Sequence, residues 1–375
     1  VSVIHQPNRL PRAGQVGTGF GLASLGRRRP AALGHHQHCR DAAIEPLIDI
    51  VLLGFLWVTA LAIARGRDLL AATMLLGLYS LFSAGLLLLL DAADVAFTEA
   101  AVGAGVSTVL ILSTLRMVGR FERPQPRPQW LALGIVLVTA ATLIYGTLDL
   151  PAFGVASNPV HHHVADRYLQ QSATEIGIPN VVTSVLASYR GYDTLGETAV
   201  VFTALLAVLL LIGGRKPQPR PPTQSTPPRP PGGATVNDHL ILRVVSKALI
   251  PLIVLFAFYV QFHGDFSPGG GFQAGVIFAA AILLHLLVFG LASTSRIVPA
   301  AVLKFTAALG LLIYGGVGVA ALFAGGAYLD YNVLAADPVA GQHLGIFLVE
   351  AGVGLTVASA MILLAYAFNA RGNPA

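Results

Sequence analysis

Charge is scarce in this chain. Only 11% of its 375 residues are Asp, Glu, Lys or Arg, less than half of the roughly 25% typical of a soluble domain. A water-soluble fold of this length must wet its exterior, so the scarcity argues against one. Cysteine is almost missing as well. Cys39 stands alone, which excludes an intrachain disulfide and any CxxC metal or redox site. There is no Walker pattern, no nucleophile–base arrangement and no cofactor motif, so neither a cofactor nor an enzymatic activity of its own is expected.

Apolar residues fill the space that charge leaves. They make up 55% of the chain, and the mean hydropathy is +0.71. The runs are long and nearly unbroken, unlike the short alternating segments of a transmembrane barrel. In lipid the backbone must satisfy its own hydrogen bonds, which selects helices. The fold class expected is therefore an all-α integral membrane protein. The net charge of +5 is no sign of nucleic acid, because the arginines and lysines sit between the apolar runs.

The spacing predicts about nine transmembrane helices, near 47–64, 69–90, 93–117, 130–148, 197–214, 240–262, 271–294, 301–324 and 344–368. Each has about the 20 residues that a bilayer crossing needs. Pro251 predicts a kink in the sixth. Residues 1–45 carry six arginines and begin with Val1, with no apolar core of a signal peptide. They read as a basic leader, disordered or upstream of the true start. Residues 46–149 form a first module of three to four helices, and 150–214 a polar connection plus one helix. An amphipathic piece is expected around 164–188. Residues 215–237 are Pro-rich and read as an extended joint. Residues 238–370 form a second module, so that five helices precede the joint and four follow it.

Basic residues test that count. Arg65 and Arg67, then Arg116 to Arg127, then Arg215 to Arg229, then Arg296 and Lys304, and finally Arg371 follow every second helix. The alternate loops are acidic or mixed. The positive-inside rule then places the C-terminus in the cytoplasm of a multi-pass cell-membrane protein.

Ionisable groups inside spans are costly and are functional candidates by default. Glu99, Glu197, Lys247 and Glu350 are the candidates for ion translocation; Asp193, His285 and His343 are secondary ones. Carboxylates exchange protons or coordinate hard cations through oxygen, and Lys and His relay protons or tune their neighbours. Asp193 and Glu197 are four residues apart, on one helical face. Bland alternatives stand beside these: interfacial placement for Glu197, snorkelling for Lys247, packing for His285. The strip Gly103, Gly105 and Ser107 favours close helix packing. His161, His162 and His163 have no spaced partner, so no metal site is expected. Pro268, Gly269, Gly270, Gly271 and Phe272 form a tight structural loop between the sixth and seventh helices.

That loop lies in "HGDFSPGGGFQAGVIFAA", which resembles the hallmark of the B-subunit family of Mrp-type Na+/H+ antiporters. The likeness runs back through "ILRVVSKALIPLIVLFAFYVQF" and on to "LVEAGVGLTV", over about 240–368. The first module, about 47–214, is similar to other pieces. "DVAFTEAAVGAG" resembles a domain near the C-terminal end of the Mrp A-subunit, and is closer to the small-subunit version found in membrane-bound hydrogenases. "GIPNVVTSVLASYRGYDTLGETAVV" resembles the domain that follows it in both systems. The resemblance implies one component of a multi-subunit cation/proton antiporter related to the membrane arm of respiratory complex I. Its implied partners are large antiporter-like and small membrane subunits, the lipid bilayer, and Na+ and H+. A membrane arm of an energy-converting hydrogenase, or a scaffold with no ion path, are the alternatives.

Overall fold

The computed structural model describes residues 32–122, 129–152, 154–213 and 240–372. Among them are nine helices long and apolar enough to cross a membrane. Helix α1 (Ala32–Arg65) contributes the span from Pro46, and α2 (Leu69–Leu89) pairs with it. Helix α3 runs through Ala93–Glu99, a π-helical stretch Ala100–Ser107, and Thr108–Val118. Helix α4 (Gln129–Thr147) has no residue of its apolar window buried. After α5 (Ala165–Glu175) a short helix, Val181–Thr183 continued by π-helical Ser184–Tyr189, leads into α6 (Gly191–Gly213). The second half holds α7 (Leu240–His263), α8 (Gly271–Phe289), the short α9 (Leu291–Ile297), α10 (Ala300–Phe323) and α11 (Pro338–Gly372).

Several ends differ from the sequence reading. The basic stretch 32–45 continues α1 backward as helix. The rest of the leader and the Pro-rich joint 215–237 lie outside the described residues. Helix α11 starts at Pro338, six residues ahead of the apolar run. The reason is capping: the Asp337 carboxylate accepts from the Ala340 amide at 3.1 Å, and Pro occupies the first turn, where its missing donor is not needed. The expected single helix over 271–294 breaks at Gly290, whose φ of +83° only glycine adopts without strain. Helix α7 continues unbroken through Pro251.

The core is built around α11. Two-thirds of its apolar window is buried, and α6, α8 and α10 pack against it. Lipid offers no hydrophobic drive between helices, so close backbone approach carries the packing. Glycines allow it. A Cβ at Gly310 of α10 would come within 2.3 Å of the Gly352 carbonyl, and one at Gly275 of α8 within 2.7 Å of the Gly354 carbonyl.

The two modules dock directly. Tyr314 donates to the Gly191 carbonyl at 2.7 Å, and Tyr331 to that of Ala187 at 3.0 Å. Ser188 bonds the Gln342 side chain at 2.8 Å. On the side of α2, a Cβ at Gly103 would collide with Ser80, as a small-residue contact requires.

Gly310→Ala should lower the thermal stability of the detergent-solubilised protein by an amount equivalent to about 1–3 kcal/mol, the usual cost of overpacking. Gly316→Ala on the same helix should be neutral, since nothing lies within 4 Å of its Cβ position. A fluorescence-monitored melt of both variants checks the contrast; equal melting points would remove the glycine-contact account of this packing.

Candidate functional site

Where α3, the 181–189 segment, α6, α8, α10 and α11 meet, they leave a cavity of about 220 Å³. Its wall carries three carboxylic side chains, Asp94, Glu197 and Glu350. Thr98, Thr183, Thr194, Gln273 and Tyr314 add hydroxyl and amide groups, and Gly269, Gly270 and Gly271 add backbone.

The glycine loop seats Glu350. Gly271 runs so close to α11 that a Cβ there would fall 2.0 Å from the Glu350 carbonyl. The Glu350 carboxyl itself lies against Gly270 and Gly264, at 2.9 and 3.3 Å from the Cβ positions those residues lack. Gly270 also holds φ at +118° with ψ at −176°, a region that is essentially glycine-only. From sequence the loop reads as a tight turn. The structure makes it the cradle of an acidic side chain.

The first module holds the loop in place. Asp94 accepts from the Gly269 amide at 3.2 Å, and Gln273 donates to the Thr98 hydroxyl at 2.8 Å. Asn180 spans the loop, donating to the carbonyls of Gly264 at 3.2 Å and Ser267 at 3.0 Å, while Thr183 also donates to Gly264 at 2.8 Å. Beside it, Tyr189 donates a short hydrogen bond to Glu175, and Arg167 pairs with the same carboxylate at 3.1 Å. Burial, and then that bond to Glu175, push the Tyr189 hydroxyl up to about 12.

Of the candidates read from sequence, Glu197, Glu350 and the loop residues Gly269 to Phe272 meet at this cavity; Pro268 is not on its wall. Glu197 stands at its exposed edge. Asp193, although one turn away, reaches back to Arg190 at 2.5 Å instead. Glu99 points elsewhere, into the crevice where Gly103 meets Ser80 of α2. Lys247 and Arg243 lie over the ring of Phe289 at 5.9 and 5.8 Å, toward the other end of the bundle. His285 bonds the Thr294 hydroxyl at 2.8 Å near that end. His343 bonds Asp265 at 3.0 Å. Sequence reasoning missed Asp94, Thr98, Gln273 and Tyr314. The four-residue spacing of Asp94 and Thr98, one helical turn, was the available signal. No group of three or more metal-ligating side chains occurs among the described residues.

Gly290→Ala should cost about 1–3 kcal/mol from backbone strain alone, since its Cβ position is otherwise open. Gly270→Ala should cost more, because its Cβ also meets the Glu350 carboxyl. Melting points of the two variants against the parent test the order; a Gly270 variant as stable as the Gly290 one would remove the cradle.

Comparison with known proteins matches the same divisions. Residues 241–363 match the model of the domain related to the MnhB subunit of Na+/H+ antiporters. Residues 54–120 match that of MbhD, and 135–228 that of MbhE, both membrane subunits of MBH. The chain is 28% identical over 353 residues to the A/B subunit of a probable K+/H+ antiporter of Rhizobium meliloti, covering 85% of this chain and 34% of that one. It is 32% identical over 131 residues to the B-subunit of the Na+/H+ antiporter of Alkalihalophilus pseudofirmus, covering 32% of this chain and 90% of that protein. In fold it resembles a chain of the Mrp complex from a Dietzia species, with a TM-score of 0.70 at 24% identity, over 91% of this chain and 39% of that one. The chain thus spans about a third of its Rhizobium relative. Through residues 241–363 it belongs to the MnhB-related family of Na+/H+ antiporter subunits, joined to MbhD- and MbhE-type domains.

Proposed function

We propose that this chain is a membrane subunit of a multi-subunit Mrp-type Na+/H+ antiporter, in which its acidic cavity takes part in coupling cation and proton movement. The observation that carries this reading is the meeting of Asp94, Glu197 and Glu350 around one space. Carboxylates held together in low-dielectric surroundings cannot all stay ionised without a cation or a proton among them. Hard oxygen ligands suit Na+, and the same oxygens take H+. A site that must hold one or the other, and opens toward water, is what exchange requires.

The positive-inside pattern supports a cavity open to the outer face and a C-terminus in the cytoplasm of a bacterial or archaeal cell. Glu350 is the inner group and Glu197 the edge group. Glu99 serves a separate point between α2 and α3. The partners are the large antiporter-like subunits and the small membrane subunits of the same assembly. The Rhizobium and Alkalihalophilus relatives, named as antiporter subunits, support this host.

A tagged chain purified in mild detergent from its own membranes should bring antiporter-like subunits with it, identified by mass spectrometry. Arrival of metal-cluster proteins instead would place the chain in a redox-driven pump. In vesicles, Glu350→Gln and Glu99→Gln should each reduce Na+-driven proton exchange at least tenfold while the subunits still co-purify. Normal exchange by both variants would leave the chain a scaffold with no ion path of its own.

A further inference from the structure

His343 and Asp265 stand outside the cavity wall but beside its acidic end. The His343 Nδ1 and an Asp265 carboxylate oxygen are 3.0 Å apart. Their side chains keep 37% and 21% of their exposure, so water reaches both. His343 precedes Glu350 by seven residues on α11, two turns and about 10 Å along the same face. Asp265 follows Gly264, the residue against which one Glu350 carboxyl oxygen rests. Its backbone is pinned, because the Asn180 amide donates to its carbonyl at 3.0 Å. Asp265 therefore lies between a water-accessible imidazole and the innermost carboxyl of the cavity.

We infer that the His343–Asp265 pair is a proton relay between bulk water and Glu350. The inference rests on the antiporter reading of the cavity. An imidazole bonded to a carboxylate has one nitrogen turned to the partner and one free for water. A proton taken at Nε2 releases the Nδ1 proton to the Asp265 oxygen, and Asp265 passes its proton to the Glu350 carboxylate. One proton enters, one leaves, and no electrons move. A ring flip at the half-open site restores the starting tautomer. The other titratable groups around the pair are already placed: Asp94 on α3, Glu350 on α11 itself, and Glu175, Arg167 and Tyr189 tied to one another. His263, at the end of α7, is stacked between Tyr259 and Phe266, with centroids 4.8 and 5.7 Å away. That leaves His343 as the imidazole bonded to a carboxylate at this end.

The test is chemical rescue in membrane vesicles that hold the whole complex, at low buffer concentration. His343→Ala should slow cation-driven proton exchange at least tenfold, with the cation concentration for half-maximal rate unchanged. Added imidazole should restore the rate to within twofold. Asp265→Asn should slow exchange equally and resist rescue. A structural ion pair predicts no rescue in either variant. Unrescued loss with normal co-purification of the subunits, or wild-type rates in His343→Ala, would overturn the relay. His343→Gln guards against loss of assembly; if it too fails to assemble, the pair is structural and the inference falls. Wild-type exchange by Glu350→Gln would instead remove the antiporter reading beneath it.

Discussion

The backbone contact between Gly271 and Glu350 governs the rest of this structure. At that point α8 and α11 approach so closely that no side chain fits between them. The approach fixes the height of the glycine loop on α11 and so brings the Glu350 carboxyl against Gly264 and Gly270. In lipid, where apolar side chains gain nothing by leaving one apolar solvent for another, such small-residue contacts are what set helix positions. Once α8 is set, Gln273 reaches Thr98 and Gly269 reaches Asp94. The acidic cavity is thus a by-product of packing that needs glycine, and its chemistry depends on the side chains that this packing gathers.

Each acid around the cavity is held differently. Asp94 receives a backbone donor, so part of its charge is answered by the fold. Glu197 stands at the exposed edge, where water screens it. Glu350 sits deepest and has Asp94 and Asp265 as acidic neighbours. A carboxyl placed so must find a proton or a cation, and the two compete for the same oxygens. That competition, rather than any one residue, is the element of antiport that the proposed function assigns to this chain.

Much of the architecture was legible beforehand. Nine apolar stretches in lipid have no stable choice but helix, so their number and order follow from hydropathy alone. The helix starts at Gly191 and Pro338 were less visible, because polar first turns are set by caps and not by apolar content. Which acids meet was not legible. Asp94 and Glu99 lie on one helix, but five residues separate them by about 140° around its axis. One faces the glycine loop and the other faces α2. Depth in the membrane can be counted along a sequence, but helix rotation is decided by neighbours. Asp193 and Glu197 show the reverse case. Their spacing puts them on one face, yet Asp193 in the first turn is drawn to Arg190.

The join between the modules falls at an informative place. The cavity draws Asp94 and Glu197 from the half before the Pro-rich stretch and Glu350 and the glycine loop from the half after it. Neither half alone holds the acids together. A 23-residue stretch over 215–237 reaches about 70 Å if extended at 3.1 Å per residue. That is ample to connect the end of α6 with the start of α7 on one membrane face. A tether of this kind adds no contact, but it sets a millimolar effective concentration for docking and fixes the ratio of the halves at one to one. For a site whose carboxylates come from both sides, that ratio matters, because a lone half would expose unpaired intramembrane acid. Fusion therefore guards the cavity during assembly, while the hydrogen bonds of Asn180, Thr183, Tyr314 and Tyr331 hold it afterwards.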